Sequence, residues 1–356
     1  SLPMCRGLIM LKLRSNDHDE VTMSEDDDAG IPEARKRAWG AVYKPRYSGI
    51  ATFMRQDLRE DPETWGDVEI GMIGVPFDGA VTNRPGARHG PRALRDQSTL
   101  MGRFNHQTKV RPYDWAMSAD LGDVMIEGVY ELDCAIDDIE QFYAKVMAAG
   151  VMPLTGGGDH SITLPIMRAM GKHTRGPVGL IHFDAHCDTG PELFGNKHHH
   201  GGPFKVAVDE GVLDPKRTIQ IGIRGPAEAL WDFSYSSGMT VIHIEELYAM
   251  GLDAVVAKAK EVVGDGPTYV SFDVDGMDPV YAPGTGTPEV GGFTSFEAQQ
   301  MLRGLMGINI VGADLVEVSP PFDTAGTTSL NGVQMMWELL CLMAHKIGTE
   351  KGRLDD

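Results

Sequence analysis

The chain has 356 residues, 42% hydrophobic and 23% charged, the composition of a soluble globular protein with ample material for a buried core. A formal net charge of -19 argues against the basic face that nucleic-acid binders carry, and no stretch approaches the ~18 uninterrupted apolar residues of a membrane span. Four cysteines (Cys5, Cys134, Cys187, Cys341) lack CxxC spacing, so neither a zinc ribbon nor a disulfide framework is expected, and a reducing, cytoplasmic setting fits.

In chain order, residues 1–45 are polar and charged and are expected to be disordered or loosely docked. Their start, "SLPMCRGLIMLKLRSNDHDE", has an apolar patch broken by Lys12 and Arg14 and is too weak for a signal peptide. Met23, opening "MSEDDDAG", is a candidate natural start, which would make residues 1–22 upstream sequence. Between residues 46 and 350 no linker divides the chain, so one domain is expected. Apolar runs rich in Val, Ile and aromatics predict strands within 67–76, 151–160, 178–186, 218–225, 239–244, 268–275 and 309–318. Helical patterns fill 90–102, 133–149, 160–171, 245–263, 294–306 and 329–347. Strands alternating with helices predict a three-layer α/β/α fold with a mainly parallel central sheet.

In such sheets ligands gather at the carboxyl ends of the strands. There "GGGDHS" follows "VMPLT", "DAHCD" follows "GLIHF", "DVDGMDP" follows "TYVSF" and "EVSPP" follows "GADLV". If "FDAHCD" stays extended, Asp184, His186 and Asp188 share one face, with Ala185 and Cys187 on the other. Asp273 and Asp275 pair in the same way, and His160 stands at a strand-to-helix turn after three glycines. Each piece alone has a structural explanation as a cap or a tight turn. Together they offer two imidazoles and four carboxylates, and that many buried carboxylates repel one another strongly without cations. Two divalent ions with bridging carboxylates resolve the repulsion. Oxygen-rich donors with one imidazole per ion suit Mn²⁺, with Ni²⁺, Co²⁺ or Fe²⁺ as alternatives.

These stretches resemble the ureohydrolases, the family of arginase and agmatinase. "GGDHS" (157–161), "DAHCD" (184–188) and "SFDVDGMDPVYAPGTGTPEVGG" (271–292) look like that family's signatures in its order. "YSGIATFMR" (47–55) and "GVPFDGAVTNRPGARHGPRALR" (74–95) look like the agmatinase-type branch. The resemblance implies an arginase-like fold holding two Mn²⁺ ions, with Ni²⁺ as the alternative. It implies one ion on His160, Asp184, Asp188 and Asp273 and the other on His186, Asp184, Asp273 and Asp275. It implies attack of activated water on a guanidinium carbon, Asp188 orienting that water, and release of urea and an amine. It makes His200 of "HHHGGPF" the proton donor to the leaving amine and Glu317 of "DLVEVSPP" the partner of the substrate guanidinium. Family members form trimers or hexamers, so a homo-oligomer is expected, with a mixed assembly as the alternative.

The segment "DTGPELFGNKHHHGGPF" (188–204) departs from the agmatinase pattern, which has a bulky aromatic near Gly190 and Thr at the position of Gly202. Empty volume at Gly190 and Gly202 would admit a different guanidine: guanidinobutyrate, guanidine itself, or an N-substituted guanidine or biguanide such as metformin. A non-catalytic supporting subunit is the competing reading, and loss of ligands would be its mark. A one-zinc deacetylase on the same fold needs fewer carboxylates than this chain supplies.

Overall fold

The computed structural model describes residues 45–225 and 230–354; the expectations for residues 1–44 lie outside them. Among the described residues, eight strands form one sheet: β1 (Ile70–Gly74), β2 (Ser118–Asp123), β3 (Met152–Gly156), β4 (Val178–Phe183), β5 (Leu213–Ile223), β6 (Thr240–His243), β7 (Thr268–Asp273) and β8 (Ile310–Val316). They run in the order β2-β1-β3-β8-β7-β4-β5-β6, and every pair is parallel. The helices are α1 (Gly90–Ser98), α2 (Pro112–Trp115), α3 (Leu132–Ala148), α4 (Thr163–Thr174), α5 (Pro203–Asp209), α6 (Asp232–Ser237), α7 (Ile244–Met250), α8 (Leu252–Val263), α9 (Ser295–Gly304) and α10 (Thr327–Glu350).

Both faces of the sheet are covered, as parallel sheets require. One apolar layer joins Leu94 of α1, Val255 of α8, Met301 of α9 and Leu339 of α10 to the sheet. The other brings Ile139 of α3, Ile166 of α4 and Phe204 of α5 against the opposite face. The 24-residue α10 is buried along most of its length, so its apolar stretch from Val333 to Ile347 reads as core.

Three departures from the sequence pattern have local causes. β2 gave no apolar signal because it reads "SADLGD": five of its six positions are buried, but mostly by small and polar residues, with Asp120 bonded by Arg95 and the Phe53 amide. The single helix expected over 245–263 is two, because Gly251 (φ 80°) breaks it between α7 and α8. The helix expected from residue 160 begins as a 3-10 turn at His160–Ile162, and α4 starts at Thr163.

Register is what assembles the site. β3, β8, β7 and β4 are consecutive in the sheet, with Gly156 opposite Leu315, Asp273 opposite Val316 and Phe183 opposite Phe272. The four segments that follow these strands therefore emerge side by side. Gly158 is essential to the first of them: its N–H donates to Val75 O, and a Cβ there would stand 1.9 Å from Phe77 O. Gly158→Ala is expected to cost about 3 kcal/mol, seen as a lowered Tm and a loss of metal uptake; a protein as stable as the parent would show that this backbone crossing can relax.

Candidate metal centre

β4 ends at Phe183, one residue before the first of its acidic groups. Alternation along an extended strand is therefore not what brings Asp184, His186 and Asp188 together; residues 184–188 leave the strand, and Asp188 takes a left-handed backbone (φ 51°). β7 likewise ends at Asp273, and Asp275 lies in a 3-10 turn whose amide donates to Asp273 Oδ1 at 2.8 Å. The turns still converge. His160 Nδ1 lies 2.9 Å from Asp188 Oδ2 and 3.2 Å from both Asp184 Oδ2 and Asp273 Oδ2. His186 Nδ1 lies 3.1 Å from Asp275 Oδ2 and 3.4 Å from Asp184 Oδ1.

Hydrogen bonds around His160 decide which nitrogen is bare. Ser271 Oγ donates to Asp314 Oδ1 at 2.6 Å, so it receives its bond from His160 Nε2–H at 2.8 Å. Asp314 is fixed in turn by Thr163 and Tyr269. Nδ1 then points a lone pair at three carboxylate oxygens, fully buried and without a donor. Such an arrangement is repulsive until a cation sits among those atoms. The donor set, imidazole nitrogen with carboxylate oxygen, fits a divalent transition ion.

Protonation tells the same story. Burial pushes Asp275 up to about 6, helped by the charge of Asp184. Burial also holds Asp273 well above the carboxylate range, with Asp275 and Asp184 adding repulsion. Asp184 goes the other way: burial opposes it, but the imidazoles of His182, His160 and His186 hold it well below. Burial opposes a charge on His160 and His186, yet their carboxylate neighbours keep both well above the usual imidazole range. Protons gather here because positive charge is wanted.

His182 joins His160 and Asp184 within 4.8 Å and could be taken for a ligand. Its network says otherwise. Gln220 Nε2 donates to His182 Nδ1 at 3.2 Å, so the ring proton is on Nε2 and is given to Asp184 Oδ2 at 2.7 Å. His182 orients Asp184 and has no lone pair left for an ion.

Beside the cluster lies a cavity of about 250 Å³ bordered by His186, Asp188, Asp273, Asp275, His200 and Glu289, among others. His200 Nδ1 lies 2.9 Å from Glu317 Oε1, which also accepts from the His160 amide at 2.9 Å. Glu317 has φ 66°, and its Oε2 is buried without a partner. Burial opposes a charge on His200, but Glu317 outweighs it and raises the imidazole to about 9.

Gly190 and Gly202 do not border the cavity. A Cβ on Gly190 would stand 2.7 Å from Gly201 O, and one on Gly202 would stand 2.9 Å from His199 Nε2. The space that the sequence assigned to substrate is filled by a backbone crossing and by the His199 ring, and His199 itself reaches the cavity. Residues the sequence reading passed over include His182, two places before Asp184 on the same face, and Ser271, Asp314 and Asp159. Glu289 and Thr82, both inside quoted motifs, also border the cavity. Cys187 is fully buried, its thiol pushed up to about 12 by burial.

A doubly covered parallel sheet with an acid-and-imidazole centre on its carboxyl rim makes this a three-layer α/β/α protein with a candidate divalent-metal site. The arginase family model matches residues 68–342, and the chain belongs to that family. It is 54% identical over 303 residues to the guanidinopropionase of Pseudomonas aeruginosa, covering 84% of this chain and 93% of that one. It is 45% identical to the mitochondrial guanidino acid hydrolase of Homo sapiens, covering 83% of each chain. The solved proclavaminate amidino hydrolase from Streptomyces clavuligerus superposes with a TM-score of 0.80 at 37% identity, covering 85% of this chain and 99% of that chain. No helix among the described residues is long and apolar enough to cross a membrane.

Stripping the protein with a chelator is expected to lower its Tm, and Mn²⁺ at 100 times its Kd to restore about 2.7 kcal/mol. Asp184→Asn should abolish that increment; an increment unchanged in this variant would remove Asp184 from the ligand set.

Proposed function

We propose that this chain hydrolyses a small linear guanidino acid, releasing urea and an amine, with two divalent ions, Mn²⁺ foremost and Ni²⁺ as the alternative. The observation that carries the reading is the buried, bare Nδ1 of His160 facing three carboxylates beside a cavity bordered by His200, behind which the buried Glu317 pairs with its Nδ1. His160, Asp184, Asp188 and Asp273 would hold one ion; His186, Asp184, Asp273 and Asp275 would hold the other. Bound there, the ions supply the positive charge that makes water a nucleophile near neutral pH.

The remaining work falls to the chain. Glu317 Oε2 has an unused acceptor beside Gly286, where a planar N–H fork of a guanidinium completes its bonding. Asp188 lies between His160 and the cavity and orients the attacking water. His200, kept charged by Glu317, gives a proton to the departing nitrogen. The guanidino-acid choice rests on the 54% and 45% identities to relatives so named. A supporting-subunit role has no matching mark, because all six candidate ligands are present and converge.

On metal-defined protein, urea release should be fastest with 3-guanidinopropionate or 4-guanidinobutyrate and slower with agmatine, guanidine and metformin; a metformin or agmatine preference would overturn the substrate assignment. His200→Asn should lower kcat by about 10²–10⁴ with little change in KM. In the parent, a proton donor raised to about 9 is charged below that value, so kcat should fall as pH rises through about 9. That limb should vanish in His200→Asn.

A further inference from the structure

His200 is held from two sides, and only one is explained by its pairing with Glu317. On the other side, Thr82 Oγ1 lies 2.7 Å from His200 Nε2, and the Thr82 amide donates to the same nitrogen at 3.1 Å. An amide donates only to a lone pair, so this is the geometry of the ring after its Nε2 proton has left, with Nδ1–H still donating to Glu317 Oε1. The Thr82 amide therefore opposes the rise that Glu317 produces. The loop that carries Thr82 is tied down along its length. Asp159 Oδ2 accepts from the Ala80 amide at 2.9 Å, Ala80 O accepts from the His200 amide at 3.0 Å, and Asn83 Nδ2 donates to Gly286 O at 3.1 Å. Asp159 is itself fully buried and fixed by Ser161. The loop thus bridges the segments that follow β3, β4 and β7. Thr82 is exposed, stands at the cavity wall and packs into no apolar core.

We propose that Thr82 is the positioning residue of His200, its hydroxyl and amide holding Nε2 at the cavity wall and receiving the lone pair that appears when the proton leaves. This rests on His200 as the proton donor in the reaction above. The step balances simply: the Nε2–H bond breaks, an N–H bond forms on the departing amine, and solvent later returns a proton to Nε2. The neutral ring, which would otherwise be left with a buried lone pair, is met by two donors. Pre-orientation of this kind governs the rate more than the affinity.

The test is a double-mutant cycle on the metal-loaded protein with 3-guanidinopropionate, using Thr82→Val, Thr82→Ser, His200→Asn and the pair Thr82→Val with His200→Asn. Thr82→Val should lower kcat between about 10- and 100-fold with KM, metal content and Tm unchanged, and should displace the alkaline limb of kcat. Thr82→Ser should restore most of the rate. In the His200→Asn background, Thr82→Val should cost nothing further, because its effect passes through the imidazole. An unchanged kcat in Thr82→Val, or the same loss with and without His200, overturns the proposal. Full activity in His200→Asn instead sinks the proton-donor reading on which it stands, and is told apart by that variant alone.

Discussion

Carboxylates gathered around shared imidazoles in a dry interior set the terms for this molecule. Asp184, Asp273 and Asp275 are essentially unexposed, and each lies where another's charge is felt. At the low effective dielectric of an interior, such like charges cost several kcal/mol each unless something positive stands between them. Protons can serve, and the raised imidazoles and carboxylates show where they would go. Divalent ions serve better, because one ion answers several carboxylates at once and uses the lone pair of His160 that a third carboxylate neighbour only worsens.

That repulsion has to be held together by something stronger, and the sheet does it. Four adjacent parallel strands end at one level, so their following turns need only a few residues each to reach a common point. The outer supports are hydrogen bonded through to the core: Ser271 and Asp314 behind His160, Gln220 and His182 behind Asp184. Backbone strain reaches the same rim, though it also occurs at Met54, Arg55, Lys109, Arg175 and Phe194. Asp188 and Glu317 both take left-handed conformations that cost non-glycine residues about 1–3 kcal/mol each. Each aims a carboxylate that a relaxed turn would send elsewhere: Asp188 toward His160, Glu317 toward both the His160 amide and His200.

Much of this was legible in the sequence, and the failures have physical reasons. Apolar runs announce strands, which is why seven of the eight described strands were found, the edge strand β6 among them, and β2, whose buried positions carry mostly small and polar residues, was not. α2, α5 and α6 have four, seven and six residues, too few for a 3.6-residue period to show. The candidate ligands converge for a reason that the sequence shows only in part: their types and clustering are visible there, whereas the strand alternation invoked to unite them stops at Phe183. Gly190 and Gly202 show the opposite error. A missing side chain in a sequence reads as empty space, yet in a packed protein it more often marks where two backbones or a neighbouring ring already sit.

His199 carries that lesson to substrate choice. Its ring occupies the place beside Gly202, with Nε2 2.8 Å from Pro191 O, and it borders the cavity with Leu193 and Leu230. Gly190 and Gly202 therefore act on the cavity indirectly, by letting an imidazole stand where a bulkier residue at either position would displace it. A side chain at Gly202 would push this ring before it touched substrate. Differences between this enzyme and its relatives in what they accept should thus be sought in the residues that line the cavity wall, with the glycines as the condition that allows them to stand there.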